Sequence, residues 1–209
     1  MYYMLLFSVI AASFNSVVLN KARVGKKEDV FPFNLVVSLM WCIIFFNANK
    51  GHISVSTKIL LWGIVYGLTQ TCFILFKTAA MSTGSVTVTT LIGNSSLLIS
   101  ILVSLIVWKE KITAADIISL VLLVIAIFLC TYTKDASKSV NHTSLWKYYV
   151  LLFLLSSAGV GIVFKAFGKS GNLEHCGDMM FVSSIVMIIS NLVICFFTGG
   201  FKLQNIALR

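Results

Sequence analysis

Charged residues are scarce in this sequence. They make up 11% of the 209 residues, whereas a soluble domain carries about a quarter. Hydrophobic residues supply 58% of the chain, and Pro32 is its only proline. This composition excludes an ordinary soluble domain and indicates an integral membrane protein.

Acidic residues are the rarer of the two charged classes, with 7 against 16 basic residues and a net charge of +9. None of the acidic residues lies in the middle of an apolar run, so these runs lack the buried carboxylate with which many exporters exchange a proton for a cation. The basic residues lie between the runs and act as flanking anchors. No arginine-rich segment indicates a nucleic-acid partner.

Clusters of residues that carry bond chemistry are missing. The five cysteines have no paired spacing, and the three histidines lie between apolar runs, so we expect neither a disulfide framework nor a metal site. There is no His-Glu-x-x-His motif, no serine with a plausible base and no phosphate-binding glycine loop. The sequence therefore predicts no enzyme, no catalytic residue and no cofactor.

Long apolar runs dominate what is present. A membrane-spanning helix needs about 20 apolar residues, and helices satisfy their own backbone hydrogen bonds inside lipid. The runs predict an all-α, multi-helix bundle. We identify seven of them, at residues 2–19, 31–46, 59–76, 86–108, 115–132, 146–164 and 179–197.

The first and sixth runs open with similar sequences. Tyr-Tyr-Met-Leu-Leu-Phe at residues 2–7 matches Tyr-Tyr-Val-Leu-Leu-Phe at residues 148–153, and each is followed by small polar residues and then Lys-Ala. The repeat unit would be five helices long, and an odd number of helices makes two such repeats inverted. We therefore predict a first repeat at residues 1–140 and an incomplete second repeat, with two helices, at residues 141–209.

Residues 77–130 resemble the carboxyl half of an EamA-type repeat, from the drug/metabolite transporter superfamily. The resemblance rests on the order of Ala79-Ala80, a small polar helix, the turn Glu110-Lys-Ile-Thr113 and a smooth apolar helix. Lys109 stands where the family's turn has glycine, and Asn94-Ser95-Ser96 stands where its fourth helix often has proline. The resemblance implies a ten-helix permease with two inverted halves, which moves small organic metabolites by alternating access.

Seven of those ten helices are found here, which leaves an alternative: a truncated or non-transporting membrane subunit that needs a partner to complete its fold. The expected partners are a small-molecule solute, the lipid bilayer, and either a second copy of the chain or the three further helices. Short connections between the runs favour a bacterial inner membrane as its location.

The fourth run carries its polar residues on two stripes. Thr83, Thr87, Thr90 and Asn94 follow helical spacing on one face, and a second stripe about 120° away holds serines, a threonine and Gly93. Small residues of the second kind, like the pair Gly63 and Gly67 in the third run, favour close helix packing. The first stripe faces either another helix or a solute in a wet cavity.

Other runs carry similar faces, on which aromatic side chains alternate with amides and hydroxyls. Such a mixture suits an apolar cavity with a few orienting polar groups. The predicted substrate-binding residues are Asn15, Asn34, Ser38, Trp41, Tyr66, Gln70, Thr87, Thr90 and Asn94.

Overall fold

The structure, a computed structural model, describes residues 27–49, 51–110 and 144–197, with short pieces (113–114, 117–118, 120–122 and 124–125) in between. The regular elements in these residues are helices. They are α1 (Lys27–Ala48), α2 (Thr57–Thr83), α3 (Val86–Asn94), α4 (Ser96–Trp108), α5 (Ser144–Lys169) and α6 (Cys176–Phe197), and a short 3-10 helix (Leu173–His175) precedes α6.

The helices follow the predicted runs. The second, third, sixth and seventh runs form α1, α2, α5 and α6, each longer than its run at one end or both. Because α1 begins at Lys27, Pro32 lies in its second turn and not at its start. Described residues of the fifth run are helical, and the first run lies outside the described residues. Four helical segments are long and apolar enough to cross a membrane, which confirms an all-α membrane protein.

The fourth run, predicted as one helix, is divided at Ser95 into α3 and α4. The Ser95 hydroxyl donates to the carbonyl of Leu91 at 3.1 Å, where it competes with the helix's own hydrogen bonds. The Ser95 N–H is shared between the carbonyls of Leu91 and Ile92, both at 3.1 Å. The irregular turn thus falls at the position where the family often has its proline.

Helix α6 lies between α1 and α2. It runs antiparallel to α1, since Phe46 packs on Phe181 near one end of the pair and Asn191 bonds to Ser38 further along. It runs parallel to α2, because Gly63 lies against Val182.

Helix α5 packs along the opposite side of α2 and runs antiparallel to it. Trp62 meets Phe167 at 6.3 Å between ring centroids near the start of α2, and Phe73 meets Phe153 at 5.4 Å nearer its end. The apolar core lies at the first of these contacts, where Phe167 and Met179 are almost fully buried. Helix α2 is therefore central to the bundle and holds α5 and α6 in place.

Candidate functional site

A cavity of about 380 Å³, including its open mouth, lies where α1, α2 and α6 meet. Its lining is mainly aromatic and apolar with a few polar side chains, the usual composition of a small-molecule site. None of the lining residues is charged. They are Trp41 and Phe45 from α1, Tyr66 and Gln70 from α2, and Met180, Ser183, Ser184 and Met187 from α6.

Two glycines of α2 bring the sides of the cavity together. A Cβ atom built on Gly63 would lie 2.6 Å from a methyl group of Val182. One built on Gly67 would lie 2.7 Å from the backbone oxygen of Ser183 and 2.8 Å from Cβ of Val186. Such distances exclude any side chain without a shift of α6, so the predicted packing role of this glycine pair is confirmed.

Stacked aromatic rings form part of the cavity surface. Trp41 and Phe45, one turn apart on α1, stack with their ring centroids 5.3 Å apart. Tyr66 packs on Phe164 of α5 with ring centroids 6.1 Å apart, which orients the tyrosine from behind. Rings held in this way offer a flat apolar surface to a solute at little cost in side-chain entropy.

Gln70 is the polar group of the cavity with unused hydrogen-bonding capacity. Its carbonyl oxygen is buried and accepts no hydrogen bond from the described residues. The hydroxyls of Ser183 and Ser184 donate to carbonyls of their own helix, at 2.7 Å and 2.6 Å. Because a buried amide oxygen without a partner costs free energy, Gln70 is the residue best suited to receive a donor from a bound solute.

A buried polar cluster continues from the cavity along the groove between α1 and α6. The Ser38 hydroxyl donates to the backbone oxygen of Asn34 at 2.7 Å and accepts from Nδ2 of Asn191 at 3.0 Å. All three residues are at most 1% exposed. The side-chain amide of Asn34 and Oδ1 of Asn191 have no partner in the described part of the chain. The polar surface of the site therefore extends about two turns beyond the cavity.

The structure brings five of the nine predicted substrate-binding residues to this groove. Trp41, Tyr66 and Gln70 line the cavity, and Asn34 and Ser38 form the adjoining cluster. Phe45 and the four α6 residues were not among the predicted set, although Met180, Ser183, Ser184 and Met187 share one helix face by their spacing.

The two α3 residues whose side chains are described do not line the cavity. The Thr90 hydroxyl donates to the carbonyl of Val86 at 2.8 Å, and Asn94 is exposed. Helix α3 instead turns Thr89 and Gly93 inward, and both are buried. Asn15 and the side chain of Thr87 lie outside what the structure describes.

The second stripe of the fourth run packs against α5, as predicted. The hydroxyls of Ser96 and Ser157 are hydrogen-bonded at 2.7 Å, and Nε1 of Trp146 donates to Thr89 at 3.2 Å. A Cβ atom on Gly93 would lie 2.2 Å from the ring of Phe153. These residues hold α3 and α4 against α5 and carry a structural role.

An ion cluster joins the end of α4 to the end of α5. Glu110 forms salt bridges with Lys165 and, at 2.8 Å, with Lys169. Nζ of Lys165 also donates to the Ser104 hydroxyl at 2.7 Å and lies over the ring of Trp108. Lys165 is thus held between α4 and α5 and does not extend freely to the membrane surface, and Glu110 links its turn to α5.

The charges of this cluster set the ionisation of its carboxylate. Hydrogen bonds from Lys165 and then Lys169 hold the pKa of Glu110 below its usual value. The sequence could not reveal this cluster, because its members lie 55 and more residues apart.

A polar junction fixes the connection between α1 and α2 at the start of α6. The Ser54 hydroxyl donates to Oδ2 of Asp178 at 2.7 Å, and Nδ1 of His175 lies 3.1 Å from the same oxygen. Nδ2 of Asn49 donates to Oδ1 at 3.4 Å. His175, one of the histidines between the apolar runs, is thus tied to α6. The described residues contain no group of three or more His, Cys, Asp and Glu that could hold a metal.

Comparison with known proteins identifies the family. No curated protein and no solved structure matches the chain. A model of the EamA-like transporter family matches residues 1–132, more than half of the sequence. The family is one of integral-membrane transporters. The matched residues include the small polar helix and the turn at Glu110, so the resemblance seen in the sequence is confirmed. The chain belongs to the EamA-like transporter family.

Proposed function

We propose that this transporter moves a small organic metabolite through the cavity between α1, α2 and α6 by alternating access. The observation that supports it most is Gln70, which lines an aromatic cavity and whose buried carbonyl oxygen has no partner within the described chain. A membrane bundle gains stability by satisfying such groups internally. A group that is left unsatisfied beside a cavity is suited to bind a solute.

Ion pairs that can separate join the two predicted repeats elsewhere in the bundle, at the ends of α4 and α5. Glu110 belongs to the first predicted repeat, and its partners Lys165 and Lys169 belong to the second. Alternating access needs one half of the molecule to rock against the other around a fixed site. Salt bridges near helix ends suit this movement. When such a pair separates, water solvates both charges, so the loss in free energy is small.

The proposal includes a cellular context. The short connections between spanning helices favour a bacterial inner membrane, and the solute enters from or leaves to water on either side.

Solute flux tests this function. Purified protein in sealed proteoliposomes is offered a radiolabelled panel of small organic acids, amino acids, amines and sugars, and uptake is compared with Gln70→Leu. We expect at least one solute to accumulate with the native chain, and Gln70→Leu to reduce that uptake at least about tenfold, since a lost hydrogen bond to a desolvated solute is worth over 1 kcal/mol.

Leu155→Ala is the matched control, because Leu155 is 54% exposed and does not line the cavity. Its uptake should equal that of the native protein. Uptake that Gln70→Leu leaves unchanged would contradict the assignment of this cavity. No uptake of any solute would favour the non-transporting subunit.

A further inference from the structure

Lys77 of the membrane-spanning helix α2 has no carboxylate partner among the residues that the structure describes. It is partly buried on α2, and the salt bridges of the described chain do not include it. Within the described chain, its ammonium group lies over the ring of Phe73, whose centroid is 5.8 Å from Nζ. A cation in this setting requires an anionic partner, since burying it unpaired is costly.

The ammonium group of Lys77 lies back along α2, away from the nearer end of the helix. Lys77 lies six residues before the end of α2 at Thr83, about 9 Å along the helix. A lysine that snorkels would extend toward that end. Instead, Nζ lies over Phe73, one turn back toward the helix start, and Phe73 itself packs on Phe153 of α5.

Lys77 shares a helix face with the cavity. It follows Gln70 by seven residues, or nearly two turns, which places the two side chains within about 20° of each other around α2 and about 10 Å apart along it. Gln70 and Tyr66 line the cavity. The same face therefore carries an aromatic surface, an unpartnered amide oxygen and an unpaired cation in succession.

We infer that the transported solute is a small amphipathic anion whose acidic group pairs with Lys77 while its apolar body lies on the aromatic rings of the cavity. This inference rests on the proposed transport function and names its substrate class. One lysine matches one negative charge, so an organic monoanion such as a carboxylate fits best.

Charge-selective labelling tests the inference without knowledge of the solute. Gln70→Cys, in a chain whose five native cysteines are replaced by serine or alanine, is treated in membranes with two methanethiosulfonate reagents. One carries a sulfonate and the other a trimethylammonium group, and each rate is divided by its rate with free cysteine. We expect the sulfonate reagent to react about tenfold faster, because Lys77 attracts the anion and repels the cation at low effective dielectric.

Substitutions of the lysine identify the source of the preference. Lys77→Gln should remove it, and Lys77→Arg should retain it. Lys165→Gln is the matched control, because Lys165 is neutralised by Glu110, and the preference should persist there. The native lysine is present in the first measurement, so that result stands even where a variant folds poorly.

Two failures are distinguishable. Reaction at Gln70→Cys with no preference for the anion, or a preference that Lys77→Gln retains, would overturn the anionic substrate and leave the transport cavity in place. Failure of both reagents to react would overturn the water-accessible cavity itself, and the inference with it.

Discussion

Gly67 is one of the two glycines at which α2 and α6 approach closely, and its contact with the α6 backbone gives a sharp prediction. Gly67→Ala would bring a methyl group 2.7 Å from the backbone oxygen of Ser183, so α6 must shift. We expect a loss of about 1 to 3 kcal/mol in the free energy of unfolding, as for other overpacked sites, measured by unfolding in mixed micelles.

Gly159→Ala is the control for this substitution. Its Cβ would lie 3.6 Å from a methyl group of Thr69, an ordinary contact, so we expect no loss and a slight gain from the higher helix propensity of alanine. Equal effects of the two substitutions would contradict the helix packing described here.

Lys109 ends α4 in a left-handed backbone conformation, with φ at 49°. Glycine adopts this conformation without strain, whereas another residue pays roughly 1 kcal/mol for it. The family's turn has glycine at this position, so the departure noted in the sequence coincides with a strained residue. We expect Lys109→Gly to raise the free energy of unfolding by about 1 kcal/mol, and Lys109→Ala to give no such gain. If Lys109→Gly instead lowered the free energy of unfolding, the contacts of the lysine side chain would outweigh the strain of its backbone.

Sequence spacing grouped residues that the structure brings together where a run showed one clear polar face. The spacing of Trp41 with Ser38, and of Tyr66 with Gln70, identified residues that meet in the groove. Asn94 lies outside this groove. Its spacing with Thr90 placed the two residues on one helix face, but it could not show which helix that face contacts. Helix rotation depends on contacts such as Gly93 against Phe153, and these pair residues distant in sequence.

The stability that the ion pairs between α4 and α5 contribute depends on pH. The pKa of Glu110 is lowered in the folded protein, chiefly by its hydrogen bond from Lys165. Its pairing therefore stabilises the fold above the ordinary carboxyl pKa of about 4.3 and is lost as pH falls through the lowered pKa. We expect Glu110→Gln to lower Tm by the same amount from pH 6 to pH 8, and the difference from the native protein to shrink as pH falls below the ordinary carboxyl pKa of about 4.3.

Glu174→Gln serves as the control, because Glu174 is exposed and has no salt bridge within the described chain. Its Tm should follow that of the native protein at every pH. A difference between Glu110→Gln and the native protein that grows as pH falls would contradict the assigned sign of the pKa shift.

The parallel packing of α4 on α5 predicts a cross-link. The hydroxyl oxygens of Ser96 and Ser157 are 2.7 Å apart, so cysteines at both positions are close enough for a disulfide. We expect Ser96→Cys with Ser157→Cys to oxidise readily in a chain without native cysteines, as detected by peptide mass mapping. Leu97→Cys with Ser157→Cys should stay reduced, because Leu97 is 58% exposed and lies about 100° further round the helix. The reverse pattern would show that α4 is rotated.

The existence of the helices followed from composition, but their bounds did not. Hydropathy located the apolar centre of each run, whereas α2 continues through Lys77, Thr78 and Ser82 to Thr83. Polar residues at a helix end remain helical when their hydroxyls bond to the preceding turn, as Thr78 does to Ile74 at 2.8 Å. At Ser95 a hydroxyl bond to the preceding turn instead coincides with a break between α3 and α4. The sequence signal of this break was the run Asn94-Ser95-Ser96.

The molecule buries polar side chains and exposes apolar ones, opposite to a soluble protein. Side chains less than 2% exposed include those of Asn34, Asn191 and Thr89. Ile106 and Phe196, by contrast, are 75% and 82% exposed. Lipid covers such an apolar surface, and polar groups gain hydrogen bonds by facing one another inside. The sequence predicted this arrangement for the bundle as a whole, since its charges lie outside the apolar runs.

The location of the cavity was beyond sequence analysis. Three separate helices supply its lining, and the approach of α2 to α6 at Gly67 determines its width. The division into two repeats remains a prediction. Testing it requires a superposition of the first five helices on the later ones, and part of both lies outside the described residues.

Access to Gln70 from both sides of the membrane is the most direct test of transport through this cavity. Gln70→Cys is exposed to a membrane-impermeant thiol reagent in right-side-out and in inside-out vesicles, with Leu68→Cys, 50% exposed on the apolar surface, as the unreactive control. Alternating access predicts reaction in both preparations, and prior reaction from one side should prevent labelling from the other. Labelling from one side alone, or from neither, would contradict a transport path through the groove between α1, α2 and α6.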